Sequence, residues 1–400
     1  MLSTLAPFYM EDDLEAGRLT ARFNALESGG PPLSLGEVLD CVAPDESRRE
    51  CLEALASISL RDSPNRGRDD LRDHIARLHP GAQRHNVLVT TGTSEALLLL
   101  LLVLRPRRVA VIAPGFQLLT ELVTGVGATL VPLTLSWGHD GTPRPDIQRW
   151  ANEIIRHRPD LLLINHPHNP SGIVLSADEL NTLQDAAHAV RGAVLGDEHY
   201  RFLTDKAPLG DTLWPDQQAT QTDLPPSYIT GSFIKCLGTP GLRIGWCLAP
   251  PETVAAMQNL KNYTTHTVNP LSEWIAERVL RNTTLNAFEA ARAIWRHNRQ
   301  ALGQWLTGDG RQSGWLGTSP AGGWVTCLTH QGLPAGSAQL RTALERAGCG
   351  LLDLKHFEWR RFGHKDCAMT ARGGYRLGLG MAPQQFLLCL EELGRAGAAL

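Results

Sequence analysis

Short apolar runs alternate with longer stretches of helical periodicity over about the first 265 residues. The runs have the length of buried strands, and they lie at 87–91, 108–114, 128–135, 160–167, 194–197, 227–233 and 243–250. Apolar residues recur at helical spacing in 69–77 and in the leucine-rich stretch that follows Gly92. Strands that alternate with helices are typical of an α/β fold, here predicted as a mostly parallel mixed sheet covered by helices.

Beyond residue 265 the pattern changes to long amphipathic helices, predicted at 273–280 and 286–306. A smaller region of mixed helical and strand character follows, which predicts an α+β C-terminal domain. The first part of the chain is instead rich in glycine and proline around 29–32. We therefore expect an N-terminal arm at 1–45, a large domain at 46–265 and a small domain at 266–400.

Composition and charge narrow the classes of function. The chain has 400 residues, of which 42% are hydrophobic and 20% charged, as in a globular enzyme. Its net charge is −3 with no run of like charges, so neither nucleic acid nor a membrane surface is an expected partner. The longest apolar run, 96–104, is too short to span a bilayer. No basic segment precedes the apolar residues at the start, so we expect a cytoplasmic protein.

Cysteine and histidine usage predicts no metal site. The eight cysteines are scattered without a Cys-x-x-Cys pair, which favours reduced thiols over disulfides or a zinc site. His166 and His168 lie close together, but no cluster of acidic or cysteine ligands accompanies them. We interpret both as turn residues.

A lysine between two phosphate-type ligands is the main chemical signal. It is Lys235 in the segment GSFIKCLGTPGLRIGW, with Ser232 before it and Arg243 after it. A lysine that forms a Schiff base must be held close to its carbonyl partner, and a hydroxyl and a guanidinium that bind that partner's phosphate would fix the distance. Pyridoxal phosphate is such a partner. A surface lysine beside a Gly-Pro turn is the alternative for this segment taken alone.

A second phosphate ligand set is predicted where the strand at 87–91 ends. The turn at Gly92 leads into a helix, whose N-terminal N–H groups are free to bind an anion. The hydroxyls of Thr93 and Ser94 add further donors. Alternatively, one of these hydroxyls caps the helix.

Two further strands end in polar motifs. The strand at 160–167 runs into His-Asn-Pro-Ser-Gly, where a turn explains Pro170 and Gly172 but does not require Asn169. The strand at 194–197 ends in Asp197, followed by Tyr200. A buried Asp197 would keep a pyridine nitrogen protonated, so that the ring withdraws electrons from a carbanion. Capping of the next helix is the alternative role for Asp197.

Together these motifs resemble the class I/II aminotransferases, the fold-type-I family of pyridoxal phosphate enzymes. The motifs that carry the resemblance are Ser-x-x-Lys with Pro-Gly-x-Arg-x-Gly, Asn-Pro-Ser-Gly and Asp-x-x-Tyr, and they occur in the family's order between about Leu33 and Arg376. The resemblance implies the fold-type-I architecture, pyridoxal phosphate as cofactor, an L-α-amino acid as substrate and a homodimer with sites at the subunit interface.

The resemblance also assigns roles to single residues. Phe116 stacks on the cofactor ring, and the Asn169 amide and Tyr200 hold its phenolic oxygen, with Asn169 also near the substrate. Arg376 clamps the substrate carboxylate, which needs a bidentate guanidinium. The backbone at Gly36, in Leu-x-x-Gly-Glu, lies near the same carboxylate. Freed from the cofactor, Lys235 removes the α-proton as general base, with Asp197 and Tyr200 in the catalytic set.

One family feature is missing. The segment 61–67 lacks the tyrosine that in many members reaches the cofactor phosphate of the partner subunit. The segments 61–64, 240–247 and 262–271 resemble instead a specialised branch that eliminates water from an amino acid side chain and closes a ring. We therefore predict an enzyme of specialised metabolite biosynthesis that carries out β/γ-elimination with replacement or cyclisation.

Other functions remain open at this stage. An ordinary amino acid:2-oxo acid aminotransferase uses the same residues and is the alternative. A non-catalytic regulator of the same fold would carry a basic helix-turn-helix module, for which the sequence before Gly67 offers no place. A nicotinamide dehydrogenase is disfavoured because the Gly-x-Gly-x-x-Gly fingerprint is absent.

Overall fold

The computed structural model describes residues 5–42, 46–206, 208–215, 224–282, 284–333, 337–357 and 374–400. Its helices are α1 (Tyr9–Thr20), α2 (Leu35–Val42), α3 (Arg48–Ala56), α4 (Asp69–Ala76), α5 (Thr93–Leu104), α6 (Gln117–Gly125), α7 (Ile147–His157), α8 (Ala177–Ala189), α9 (Ile234–Leu237), α10 (Pro251–Lys261), α11 (Pro270–Arg281), α12 (Glu289–Thr307), α13 (Asp309–Gln312), α14 (Ala338–Ala347) and α15 (Pro383–Ala398). Its strands are β1 (Phe23–Asn24), β2 (Val87–Thr90), β3 (Arg108–Ala113), β4 (Thr129–Thr134), β5 (Ser136–Trp137), β6 (Pro143–Arg144), β7 (Leu161–Asn165), β8 (Ala193–Asp197), β9 (Ser227–Gly231), β10 (Gly245–Leu248), β11 (Trp315–Gly317), β12 (Val325–His330), β13 (Cys349–Gly350), β14 (Leu352–Asp353) and β15 (Tyr375–Gly378).

A seven-stranded sheet forms the centre, in the order β2-β10-β9-β8-β7-β3-β4. Strand β10 is antiparallel to both of its neighbours, and the other pairs are parallel. Each of these strands corresponds to one of the predicted apolar runs, with ends shifted by a few residues. The predicted α/β class with a mixed, mostly parallel sheet is confirmed.

Burial on both faces explains why the strands are apolar without alternation. Along β2, Val87 and Val89 belong to one hydrophobic cluster, whereas Leu88 belongs to the cluster on the other face. Val109 and Ala110 on β3 divide in the same way. A sheet that helices cover on both faces needs apolar side chains at successive positions, which is the pattern in the sequence.

Registry places three polar side chains side by side at one end of this sheet. Asn165 on β7 pairs with Asp197 on β8, which pairs with Thr230 on β9. These are the carboxyl ends of parallel strands, where open α/β sheets bind their ligands. Strand β9 ends at Gly231, and α9 begins three residues later and carries Lys235.

A second, antiparallel sheet has the order β11-β12-β15-β14. Arg376 lies on β15, opposite Cys327 of β12 and Leu352 of β14. The N-terminal segment joins this region, because β1 pairs with β13 in parallel. The proposed boundaries at 45 and 265 stay a prediction.

Two further features bear on the class of protein. No helix in the described ranges has the length and apolar character needed to cross a membrane. The cysteines of the described residues are all free thiols, and Cys367 lies outside these residues.

Candidate active site

One cavity of about 370 Å³ brings together most of the predicted site residues. It opens beside the carboxyl ends of the central strands. The predicted residues in its wall are Thr93, Ser94, Phe116, Asn169, Asp197, Ser232, Lys235, Arg243 and Arg376. Gly36, Gly92 and Tyr200 are not in its wall.

Lys235 lies in the cavity wall on the short helix α9. Burial lowers the pKa of its amine, although the carboxylates of Glu27 and Glu11 act in the opposite direction. A lowered pKa increases the fraction of neutral, nucleophilic amine at neutral pH. The N-terminal segment packs against this turn, since the Gly30 N–H donates to the Lys235 carbonyl at 2.9 Å.

The predicted phosphate ligands converge from three segments. Gly92 has φ +81° and precedes α5, whose N-terminus has no side-chain cap, so neither Thr93 nor Ser94 caps the helix. The positive φ favours glycine at position 92, and a Cβ atom there would also lie 2.9 Å from the guanidinium of Arg243. Ser232 lies on the same wall and donates its hydroxyl hydrogen to the Ile244 carbonyl at 2.6 Å. A helix N-terminus, hydroxyls and a guanidinium together suit a phosphate.

Asp197 is held as a fixed hydrogen-bond acceptor. Its Oδ1 accepts from the Thr230 hydroxyl at 3.0 Å, and its Oδ2 accepts from the Asn165 amide at 3.0 Å. His199 Nδ1 lies 3.3 Å from the same Oδ2. The carboxylate is buried in the cavity wall and does not cap a helix. It is therefore placed to accept a hydrogen bond from a ring nitrogen in the cavity.

Arg376 connects the second sheet to the Asn169 turn. Its Nη1 donates to Asn169 Oδ1 at 3.2 Å, and its Nη2 donates to the Leu26 carbonyl. Because arginine only donates, the Asn169 amide must present its carbonyl oxygen to Arg376. The backbone N–H of Asn169 donates to Asn165 Oδ1 at 2.7 Å, whereas its side-chain amide N–H groups find no partner within the described ranges and remain available to the cavity. Arg376 Nε, in a side chain that is 1% exposed, also lacks a partner among the described residues.

Tyr200 adjoins the cavity without lining it. Its hydroxyl donates to the Ser28 carbonyl, and burial raises the pKa of this phenol above its usual value. Gly323, with φ +72°, packs directly on the ring. Its role toward the cofactor's phenolic oxygen stays a prediction.

Gly36 is not one of the residues in the cavity wall, so its predicted place beside the substrate carboxylate needs correction. It lies in α2, where an added Cβ would meet the side chain of Arg48. The residues that reach Lys235 come earlier: Ser28 lines the cavity, and a Cβ at Gly29 would lie 3.6 Å from Lys235 Cδ. The spacing Leu-x-x-Gly occurs at both 26–29 and 33–36, and the earlier copy is the one at the site.

We did not predict from local sequence patterns that α1 covers the cavity. Phe8, Met10, Glu11 and Leu14 lie in the wall, and the ring of Phe8 meets that of Phe116 edge-on with 6.2 Å between centroids. Part of the predicted N-terminal arm, 1–45, thus lines the candidate site. The polar residues Asn165, Thr230 and His199 were also missed, although Asn165 and Thr230 lie within predicted strands and His199 follows one.

The two histidines of the Asn169 turn are buried and hydrogen-bonded. His166 Nε2 accepts the Leu175 N–H at 2.9 Å, and His168 Nδ1 lies 2.7 Å from the Ser171 hydroxyl. Within the described ranges, no group of three side chains is arranged to hold a metal ion. Burial lowers the pKa of His166 to about 4 and that of His168 to about 3.

These shifts predict an acid-sensitive fold. In the unfolded chain, a histidine takes up a proton below about pH 6.5. In the folded protein, His166 is protonated only below about pH 4 and His168 only below about pH 3. Between pH 6.5 and these values, each histidine therefore lowers the free energy of unfolding by about 1.4 kcal/mol for every unit that the pH falls. Denaturant unfolding between pH 6.5 and 5 should show a smaller slope against pH for His168→Asn. The exposed His139→Asn should leave the slope unchanged. An unchanged slope for His168→Asn would contradict the buried, neutral state.

Comparison with known proteins identifies the family. The family model described as aminotransferase class I and II matches residues 26–353, so the chain belongs to this family. It is 31% identical over 304 residues to capreomycidine synthase of Streptomyces vinaceus, covering 74% of this chain and 73% of that protein. It is 26% identical over 360 residues to aspartate/prephenate aminotransferase of Thermus thermophilus, covering 88% and 87%.

Solved structures agree with this assignment. The PLP-dependent cyclase OrfR is similar with a TM-score of 0.79 and 26% identity, over 98% of this chain and 96% of that one. A PLP-dependent aminotransferase from Streptococcus suis has a TM-score of 0.83 at 21% identity and 98% coverage of both, which shows the shared fold. The protein is therefore an enzyme of the fold-type-I class, as the sequence predicted.

The cofactor of this family is pyridoxal phosphate, and the cavity fits it. An anion site formed by α5 and Arg243 lies in the same cavity as Lys235 and the fixed carboxylate of Asp197. The unpartnered Nε of the buried Arg376 is a free donor for a further anionic group. The wall of this one cavity thus offers a protein group for each of the cofactor's phosphate, aldehyde and ring nitrogen. It also offers Arg376 for the carboxylate of the substrate.

Proposed function

We propose that this enzyme acts on an L-α-amino acid and, after loss of the α-proton, eliminates or replaces a group on the side chain, with ring closure as one outcome. The observation that carries this proposal is the arrangement of Lys235, Asp197 and Arg376 around one cavity. Similarity to capreomycidine synthase and to the cyclase OrfR supports the finer assignment to elimination or cyclisation.

Each residue has a definite task in this proposal. Arg376 binds the α-carboxylate through two N–H groups, and Asn169 turns its amide N–H groups toward the same region. When bound, pyridoxal phosphate supplies an aldehyde for the substrate amine and a ring that takes up the electrons left at Cα. Asp197 holds the proton on the ring nitrogen. Lys235 Nζ accepts the α-proton and returns a proton at a later step.

An ordinary aminotransferase is the second candidate. It is favoured by the similarity to aspartate/prephenate aminotransferase, which extends over a larger part of the chain. The two reactions share Lys235, Asp197 and Arg376 and differ in where the proton returns. The described residues include no side chain that decides between them.

The fate of the cofactor decides between the two candidates. The loaded protein is mixed with amino acids one at a time, without any 2-oxo acid, and the released cofactor is analysed by chromatography. Elimination or cyclisation predicts that the cofactor stays pyridoxal phosphate while the substrate loses a side-chain group. Stoichiometric conversion to pyridoxamine phosphate with a 2-oxo acid product would instead establish transamination.

We further propose a cytoplasmic homodimer, with a residue other than tyrosine reaching the partner's cofactor phosphate. Arg243 supports this, because it is exposed in the single chain although it lines the cavity. Light scattering of the purified protein would give twice the chain mass of 43.7 kDa. A monomeric mass with full activity would contradict the proposal.

Replacing Arg376 should weaken substrate binding more than it slows the chemistry. Arg376→Lys keeps the positive charge but loses the bidentate fork, so KM for the amino acid should rise roughly 10- to 100-fold. Steady-state kinetics measures the change, and the exposed Arg395→Lys is the control. A loss confined to kcat would argue that Arg376 does not bind the carboxylate.

A further inference from the structure

We propose that the surface formed by residues 60–67 and 262–267, here called the loop face, packs on the loop face of a second copy of this chain. Across this contact, Arg61 of each copy binds the cofactor phosphate in its partner. The inference rests on the proposed function, which expects a homodimer and a residue other than tyrosine at that phosphate.

Two very exposed apolar side chains lie on the loop face. Leu60 is 77% exposed and Tyr263 is 88% exposed. Apart from Leu19 on α1, no other large hydrophobic side chain in the described ranges is more than 50% exposed. Tyrosine is enriched at the centres of protein interfaces, and apolar side chains gain free energy when a partner removes them from water. We therefore expect another protein surface to cover both side chains.

The loop face is held rigidly by hydrogen bonds between its two segments. Asn65 Nδ2 donates to Asn262 Oδ1 at 2.5 Å and to the His266 carbonyl at 2.7 Å. The ammonium group of the buried Lys261 donates to the Asn65 carbonyl at 2.6 Å. A surface whose backbone is already ordered loses little conformational entropy when a partner binds to it.

The loop face adjoins the phosphate end of the cavity. Glu95, in the first turn of α5, accepts hydrogen bonds from the hydroxyls of Thr264 and Thr265 at 2.6 and 2.7 Å. Thr93 and Ser94, which directly precede Glu95, line the cavity. In a two-fold symmetric dimer, both copies use the same surface patch. A second copy that packs on the loop face therefore brings its own loop face to the phosphate end of this cavity.

A single chain supplies little positive charge for the phosphate. A phosphate monoester carries about two negative charges at neutral pH. Among the lysine and arginine side chains that the described residues place in the cavity wall, Lys235 serves the aldehyde and Arg376 serves the substrate carboxylate, which leaves Arg243. Arg243 is exposed in the single chain, so the site is open to a cation from a second copy.

Arg61 is the cation of the loop face that is free to reach a partner. Its side chain is exposed and makes no hydrogen bond or ion pair with any residue that the structure describes. Arg66 and His266 are instead each held by a side-chain hydrogen bond within the chain. The guanidinium of arginine binds phosphate through two parallel N–H groups. Arg61 also belongs to the segment 61–67, which lacks the phosphate tyrosine of the family.

Binding of pyridoxal phosphate and of pyridoxal, which has no phosphate, tests the role of Arg61. Arg61→Gln should bind pyridoxal phosphate roughly 10-fold or more weakly, because a charge-assisted contact is lost, and should bind pyridoxal as before. Arg49→Gln is the matched control, since it changes an exposed arginine on α3, and it should bind both as the unaltered protein does. Unchanged affinity of Arg61→Gln for pyridoxal phosphate, or equal losses for the two ligands, would overturn the inference.

Mixed dimers test whether Arg61 acts across the interface. Arg61→Gln and Lys235→Ala chains with different affinity tags are produced together, and dimers with one chain of each are purified through both tags. The Arg61→Gln chain keeps its own Lys235 and receives the intact Arg61 of the other chain. Borohydride should therefore fix pyridoxal phosphate to Lys235 at the concentration that suffices for the unaltered protein. A need for the higher concentration required by the Arg61→Gln homodimer would overturn the inference.

Light scattering tests the loop face itself. The double variant Leu60→Asp with Tyr263→Asp should be monomeric at concentrations where the unaltered protein is dimeric. Leu19→Asp is the matched control, because it changes a side chain as exposed as Tyr263 but on α1, and it should stay dimeric. A double variant that stays dimeric would overturn the inference.

Failure of this inference is distinguishable from failure of the proposed function. If the unaltered protein binds pyridoxal phosphate at Lys235 and Arg61→Gln binds it equally well, only this inference fails. If the unaltered protein binds no pyridoxal phosphate at Lys235, the proposed function fails.

Discussion

The variant Lys235→Ala is expected to lose at least about 10³-fold in turnover of its amino acid while keeping its fold. General base catalysis contributes roughly 10²- to 10⁴-fold, and we propose that this side chain also forms the covalent link to the cofactor. The turn that carries it is held through backbone contacts, such as the Gly30 N–H to the Lys235 carbonyl, which alanine preserves. Turnover and circular dichroism, measured together, check the result.

The exposed Lys206→Ala is the matched control, because it removes a lysine that pairs with Asp211 and is not part of the cavity wall. It should keep full turnover. Turnover by Lys235→Ala within about tenfold of the unaltered enzyme would contradict the role of Lys235, since a proton-transfer group alone accounts for more than that.

The second large effect is expected for Asp197→Asn. The amide keeps the shape of the carboxylate but carries no charge, so it no longer holds the ring nitrogen protonated. Loss of one preorganised electrostatic group costs on the order of 10²- to 10³-fold in kcat. Because the predicted phosphate ligands Thr93, Ser94 and Arg243 are untouched, affinity for the cofactor should fall much less than kcat. Steady-state kinetics and cofactor titration separate the two effects.

The surface variant Asp205→Asn controls for the change of residue type, since the exposed Asp205 pairs with Arg299 at the protein surface. Full activity of Asp197→Asn would mean that the carboxylate between Asn165 and Thr230 is structural. A loss in cofactor affinity with kcat unchanged at saturating cofactor would place Asp197 in binding alone.

Local signals in the sequence were sufficient for the strands and for the residues that follow them. Each strand of the central sheet is buried on both faces, so its apolar run stands out from the neighbouring helices. Parallel strands end at the same edge, so Asn169, Asp197 and Lys235 meet there although they lie far apart in sequence. This is why most of the candidate site was predictable without knowledge of side-chain contacts.

Long-range packing was not predictable in the same way. The helix α1 has a modest apolar stripe of Met10, Leu14 and Gly17. This stripe predicts that one face of the helix is buried, but it does not predict which part of the protein covers that face. Its contact with Phe116 depends on tertiary structure, so Glu11 was not recognised as part of the site. Gly36 was misplaced because Leu-x-x-Gly occurs twice within eleven residues, and only packing against Lys235 distinguishes the two copies.

The hydrogen bonds around Asp197 show how the fold positions a residue of the candidate site. Asn165 and Thr230 come from the strands on either side, and both are fixed by the register of the sheet. The position of the carboxylate is therefore set by buried strands of the central sheet. A rigid carboxylate at this point suits a group that must hold one proton throughout the reaction.

The most direct test of the central claim is to locate the cofactor on the chain. The protein is loaded with pyridoxal phosphate, reduced with borohydride to fix any Schiff base, digested and mapped by mass spectrometry, with Lys235→Ala treated in parallel. The account predicts a phosphopyridoxyl group on the peptide that contains Lys235 and none on the corresponding peptide of the variant. A cofactor fixed to another lysine, or no fixed cofactor in the unaltered protein, would contradict it.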